Sequence, residues 1–133
     1  METIVVIMEK DPKTGFLDKE IASLSISKNV EYIVNLYAQG DRLFIKLSDE
    51  KELKDWEFNA VYDYFAPEVF SDRALEVKEV EDSYNPTWEL KLPFNRENIE
   101  ETEKNVCEIL EIFKKEINDV YEACKDKEED YLS

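Results

Sequence analysis

The chain has no histidine, only two glycines and only two cysteines in 133 residues. Each shortage removes a class of chemistry. Without imidazole there is no Ser-His-Asp or Cys-His catalytic arrangement and no histidine metal ligand. Two isolated glycines cannot build a Walker loop or a dinucleotide fingerprint, both of which need several glycines at fixed spacing to bring backbone against phosphate. No spacing of acids matches a calcium-binding EF-hand loop. No apolar run approaches the roughly 18 residues of a membrane span. Met1-Glu-Thr-Ile4 lacks the basic region and apolar segment of a signal peptide. The expectation is a soluble, cytoplasmic protein with no membrane contact.

Basic residues are also scarce. There are 17 Lys plus Arg against 33 Asp plus Glu, for a formal net charge of -16. No basic patch offsets repulsion from phosphate, so direct nucleic-acid binding is not expected. The acid is unevenly spread: residues 1–30 carry five acids and four bases, residues 31–70 nine and four, residues 71–94 six and three, and residues 95–133 thirteen and six. The excess lies in the middle of the chain and at its C-terminal end. An apolar fraction of 43% and sixteen aromatics belong to a folded chain rather than an acidic tail. The length fits one domain, residues 1–133.

Hydrophobic periodicity predicts an α+β fold. Thr3-Ile-Val-Val-Ile-Met8 is a continuous apolar, β-branched run, which predicts a strand buried on both faces. Asp11-Pro-Lys-Thr-Gly15 has a distant likeness to a phosphorylated-aspartate loop, but its proline interrupts that pattern and a hairpin turn is expected. Phe16 to Ile26 predicts a second strand, with Ala22, Leu24 and Ile26 inward. Tyr32–Ala38 and Arg42–Leu47 flank Gln39-Gly-Asp41 and predict a hairpin. Leu75–Val80 and Trp88–Leu92 flank the turn Asp82–Pro86, and Trp88, Leu90 and Leu92 alternate with Glu89 and Lys91, as in a sheet with one solvated face.

Residues 50–65 fit either a helix or a strand by spacing. A helix is preferred, with Asp49 and Glu52 as its capping pair. From Asn95 to about Asp126, Ile99, Val106, Ile109, Leu110, Phe113, Ile117 and Val120 mark the stripe of one long helix capped by Asn95, with Phe94 and Ile99 as its hydrophobic staple. Lys127 to Ser133 predict a frayed end. The expected architecture is an antiparallel sheet of about six strands packed against that helix. Cys107 and Cys124 are expected on the buried side of the helix, about 25 Å apart by its rise, too far to form a disulfide.

The densest constellation is Asp55-Trp-Glu-Phe-Asn-Ala-Val-Tyr-Asp-Tyr-Phe65, five aromatics interleaved with three acids. Aromatics stand on both faces of it in either conformation, which predicts that some are exposed beside carboxylates. Exposed aromatics next to acids suit a partner bearing Lys or Arg, through ion pairs and cation–π contact. The candidate binding residues are Asp55, Trp56, Glu57, Phe58, Tyr62, Asp63 and Tyr64, with Trp56 anchored in the core and Tyr62 and Asp63 outward. Paired acids such as Asp55 with Glu57, or Glu79 with Glu81 and Asp82, could also do general acid–base work or hold magnesium. Among 33 acids such pairs arise by chance, so no catalytic residue, metal ligand or cofactor is assigned.

Two readings follow. The first is a small acidic, non-enzymatic interaction or regulatory protein that binds a basic protein surface; a nucleic-acid mimic, such as a phage-type inhibitor, is a special case. The alternative is a small-ligand-binding protein or a carboxylate-based enzyme with a pocket between sheet and helix. Residues 55–65 together with Tyr84-Asn-Pro-Thr-Trp-Glu89 resemble an uncharacterised family of small acidic proteins from anaerobic, spore-forming bacteria. That resemblance implies neither a chemistry nor a site.

Overall fold

The computed structural model describes residues 2–81 and 83–132. Met1, Asp82 of the expected turn and Ser133 of the expected frayed end lie outside the described residues. Six strands form one sheet: β1 (Thr3–Lys10), β2 (Leu17–Ile26), β3 (Ile33–Gln39), β4 (Arg42–Ser48), β5 (Glu76–Glu79) and β6 (Thr87–Pro93). Their order is β2-β1-β3-β4-β6-β5. Among the described residues, three α-helices accompany them: α1 (Asp55–Tyr64), α2 (Ile99–Cys124) and α3 (Glu128–Leu132). The chain is therefore an α+β fold with an open sheet and a long C-terminal helix.

The sheet is mixed rather than wholly antiparallel. The β1–β2, β3–β4, β4–β6 and β6–β5 pairs are antiparallel, but β1 and β3 run parallel, with Met8 opposite Tyr37 and Glu9 opposite Ala38. The turn residues act as expected. The Asp11–Gly15 segment closes the first hairpin: the Gly15 N–H donates to the Asp11 carbonyl at 2.8 Å, and Gly15 sits at φ 77. Gly40 occupies φ 62 in the tight β3–β4 loop, a left-handed conformation that costs glycine nothing.

One face of the sheet carries the core. Leu24, Ile26, Leu43, Ile45, Leu47, Trp88, Leu90 and Leu92 are at most 1% exposed and pack with Val106, Ile109, Leu110, Phe113 and Ile117 of α2. Trp88 is its aromatic centre, stacked on Phe65 with ring centroids 4.1 Å apart and met edge-on by Phe113 at 5.7 Å.

The continuous apolar run of β1 is not buried on both faces. Ile7 is fully buried, but Ile4 is 62% and Val6 39% exposed, because among the described residues no helix covers the far side of the sheet. The caps also move. Asn98, not Asn95, caps α2: its Oδ1 accepts the Glu101 N–H at 3.2 Å, while Asn95 accepts the Glu97 N–H in a preceding turn. The start of α1 is not capped by Asp49 and Glu52. Glu57 Oε1 accepts the Lys54 N–H at 3.0 Å, and Asp49 instead accepts the Tyr121 hydroxyl at 2.8 Å. The last residues, expected to fray, turn into α3. Of the two thiols only Cys124 is buried; Cys107 is half-buried. Seventeen residues of helix put them about 100° apart around the axis, not on one line.

Candidate functional site

Helix α1 follows directly from β4 and lies against α2, with residues 49–54 tied onto α2 by the Tyr121–Asp49 hydrogen bond and by the Lys51 ammonium 4.0 Å above the Tyr121 ring. Its 3.6-residue period sends Trp56, Ala60 and Val61 inward, leaves Asp55, Asn59, Asp63 and Tyr64 exposed, and half-buries Glu57, Phe58 and Tyr62. The seven candidate residues therefore do not share one surface. Asp63 and Tyr64 are adjacent and exposed at the C-terminal end of α1, Asp55 is exposed at its N-terminus, and Trp56 is only 9% exposed.

Tyr62 was expected outward and is not. Its ring packs edge-on against Trp88 at 5.2 Å and Phe58 at 5.3 Å. Its hydroxyl closes the end of the β5–β6 ladder. The Val80 N–H donates to the Thr87 carbonyl at 2.9 Å, as a strand pair should. The reciprocal bond is replaced by two through the phenol: the Thr87 N–H donates to Tyr62 Oη at 2.9 Å, and Tyr62 Oη lies 3.1 Å from the Val80 carbonyl, to which it donates. Tyr62 is thus a clamp between helix and sheet. Burial, more than the opposing bond from Thr87, pushes its hydroxyl above the ordinary phenol range.

A contributor absent from the sequence reading completes the corner. Helix α3 folds back onto α1. Tyr131 donates its hydroxyl to Asp63 at 2.7 Å, and its ring lies 6.2 Å from Trp56. That hydrogen bond to a carboxylate holds the phenol in its neutral form and raises its pKa to about 12. Glu57 and Asp63 also stand close enough to Cys124 to add to the effect of burial in raising its thiol pKa. Glu57 and Asp63 therefore sit beside the end of α2, and α1 lies against α3, a helix that carries Glu128, Glu129 and Asp130. The signal that could have found this contact is Tyr131 itself, an aromatic within an otherwise charged terminal run.

The concavities have a different character. An open groove of about 580 Å3 between the β3–β4 turn and the start of α2 is lined by Arg42, Arg73, Lys104, Asp41, Glu101 and Glu108 among others. Its acids face cations, with Arg73 paired to Glu108 and Arg42 to Asp41. A second groove, of about 540 Å3, opens beside Asp55, Phe58 and Tyr84. Among the described residues, no three His, Cys, Asp or Glu side chains converge as a metal site would require.

A family model matches residues 1–132. The chain belongs to the family of unknown function DUF6762. The match runs through every element of the fold, so the corner built by α1, α2 and α3 is part of what the family model spans. No curated protein and no solved structure matches the chain. Among the described residues, no helix is long and apolar enough to cross a membrane.

Proposed function

We propose that the chain is a non-enzymatic interaction module that binds a basic protein surface through the acidic corner of α1 and α3. The observation that carries this reading is the adjacency of Asp63 and Tyr64. Both are exposed at the C-terminal end of α1, and Tyr131 of the adjoining acidic helix α3 holds the Asp63 carboxylate. A Lys or Arg arriving there meets a carboxylate and an aromatic face together, the pair of contacts that suits a cationic anchor. Asp55, Glu57 and Phe58 extend the surface along α1, Trp56 supports it from below, and Tyr62 holds the helix on the sheet. The wider acidic field steers encounter: α2 alone carries eight acids and three bases. On the same reading the protein works in the cytoplasm, as one of the small acidic proteins of anaerobic spore-formers that residues 55–65 and 84–89 resemble. A nucleic-acid-binding protein would be a natural basic partner.

The ligand-binding or carboxylate-enzyme alternative has its best location in the groove near Arg73. There the acids are matched by cations rather than gathered on one another, which favours the interaction reading. The test is capture of cytosolic proteins on the immobilised chain at 50 mM and at about 500 mM salt, where the screening length shrinks from above 10 Å to about 4 Å. Basic proteins should be retained at low salt and released at high salt. The Asp63→Lys/Tyr64→Ala variant should lose them at both. Retention that ignores salt, or that survives in the variant, would exclude this corner as the binding surface.

A further inference from the structure

Helix α3 is held on α1 by little. It has five residues, none of them buried, and its Leu132 is 65% exposed. A helix that short is not stable by itself in water, so its order depends on the contact with α1. The directed part of that contact comes from one side chain. Tyr131 donates its hydroxyl to Asp63 at 2.7 Å, and its ring lies 6.2 Å from the Trp56 indole. Among the described residues, no ion pair joins α3 to the rest of the chain. The turn that brings α3 back is also soft. Lys125-Asp-Lys127 contains neither glycine nor proline, and Lys125 keeps right-handed helical dihedrals, φ -56 and ψ -28. No backbone constraint of either residue type locks the bend.

Two costs oppose the docking. The first is charge. Residues 49–64, which are α1 and its lead-in, carry six acids and two bases, and residues 121–132 carry five acids and two bases. With every charged residue counted, both sides of the contact are net negative, and Glu128, Glu129 and Asp130 ride on the segment that moves. The second cost is a polar group. Trp56 is only 9% exposed, and its indole N–H has no acceptor among the described residues while α3 is docked. A buried donor left unpaired costs free energy of the same order as one hydrogen bond to a carboxylate returns. We infer that α3 is a strap with a docked and a released position, and that ionic screening of the like charges across the α1–α3 contact sets the balance between them. In dilute salt the repulsion acts over about 30 Å and the strap lifts from α1. At about 0.5 M salt it reaches only about 4 Å, and the Tyr131 contacts bring the strap down. The docked position is the one that fixes Asp63 and covers Trp56. Resting on the proposed reading of this corner, a polycationic partner does locally what salt does in bulk. It offsets the negative charge of both segments, so capture of the partner and docking of the strap strengthen one another.

The experiment is acrylamide quenching of tryptophan fluorescence on the full chain at about 10 and about 500 mM salt, the range over which the screening length collapses. Acrylamide is uncharged, so salt does not alter its approach. Trp88, 1% exposed in the core, supplies a constant protected background, and Trp56 supplies the change. The quenching of Trp56 should fall about threefold or more from low to high salt. Hydrogen exchange at the Asp130 amide, which bonds the Lys127 carbonyl at 3.0 Å, should slow by a similar factor. The triple variant Glu128→Gln/Glu129→Gln/Asp130→Asn changes exposed positions outside the core and should keep the fold. It should be docked at both salt concentrations. Tyr131→Phe keeps the ring but loses the bond to Asp63, and should be more accessible than the parent at each. Far-UV circular dichroism checks that both variants are folded. Equal protection of Trp56 in the parent at both salts would overturn the strap, and so would a salt response that survives unchanged in the triple variant. Tetralysine added at low salt separates this inference from the binding reading. Protection of Trp56 by tetralysine supports both. Protection by salt with no response to tetralysine upholds the strap and counts against the corner as a cation surface.

Discussion

Tyr62 offers the sharpest check on how this fold is held, because one oxygen serves three elements. Replacing it by phenylalanine keeps the ring against Trp88 and Phe58 but strips the Thr87 N–H of its acceptor and the Val80 carbonyl of its donor. Thr87 is only 5% exposed, so water cannot fully substitute. An unsatisfied buried polar group costs about 1–3 kcal/mol, and the half-burial of Tyr62 puts Tyr62→Phe near the lower half, about 1.5 kcal/mol. Tyr62→Ala also removes a half-buried ring. Full aromatic truncations cost about 3–5 kcal/mol, so a total of about 3 kcal/mol is expected. At roughly 4 °C per kcal/mol for a chain between the small and medium size classes, the midpoint should fall by about 6 °C and about 12 °C in the two variants. The assay is urea denaturation followed by Trp fluorescence, with thermal melts alongside. Binding per folded molecule should be unchanged in Tyr62→Phe. A Tyr62→Ala variant within about 0.5 kcal/mol of the parent would behave as a surface substitution, and would refute the clamp.

Four further outcomes are expected. Thiol labelling of the native protein should modify half-buried Cys107 before buried Cys124, and Cys124→Ala should cost on the order of 1 kcal/mol through a small cavity. Stability should decline at high pH: the phenols of Tyr32, Tyr37, Tyr62, Tyr121 and Tyr131 are all raised in the folded chain. Their neutral forms stabilise the fold fully below the unfolded phenol range near pH 10, and that contribution is lost as pH rises beyond it, because the unfolded chain releases its protons first. Denaturation midpoints that hold steady from pH 9 to pH 11.5 would contradict this. Ending the chain at Lys127 should expose Trp56 and shift its emission to the red, since α3 supplies the Tyr131 ring beside it; unchanged emission would show that α3 does not cover it. Arg96→Ala should loosen the β3–β4 turn, because the guanidinium bonds the Gly40 carbonyl at 2.9 Å and Glu9 at 2.5 Å, but exposed pairs of this kind contribute little and a loss of about 1 kcal/mol is the ceiling.

The elements that were legible in the sequence are those whose burial is one-sided. In β6, Trp88, Leu90 and Leu92 alternate with Glu89 and Lys91, and in α2 the stripe from Val106 to Val120 recurs at three and four. In both, a one-residue shift would turn the apolar set to water, so the pattern fixes the orientation. Where both faces of an element are apolar this logic fails. Thr3–Met8 reads as doubly buried because Ile4, Val5, Val6 and Ile7 are alike, yet only two of the four face the core. No local pattern records that the second face lacks a helix. The parallel β1–β3 pair was equally hidden, since a hairpin announces itself through its turn while a crossover pair leaves no local mark.

The same ambiguity governs residues 55–65. Five aromatics in eleven residues exceed what one helical face against the sheet can bury, which is why exposed aromatics were expected. The structure resolves the excess in a way spacing could not foresee. Phe65 passes the end of α1 and stacks on Trp88, Tyr62 turns its ring edge-on to the same indole and sends its hydroxyl into the β5–β6 ladder, and Trp56 is covered by α3. Phe58 stays half-buried and Tyr64 is left outside. The cluster is therefore largely a joint between helix, sheet and C-terminal turn, and the proposed contact rests on the residue the joint does not consume. That leaves Tyr64, with Asp63 held in place beside it by Tyr131. Buried Trp56, whose indole N–H finds no acceptor in the described structure, sits under this contact rather than in it. An arriving cation would meet a carboxylate whose position is already set by a neutral phenol, which lowers the ordering cost of capture.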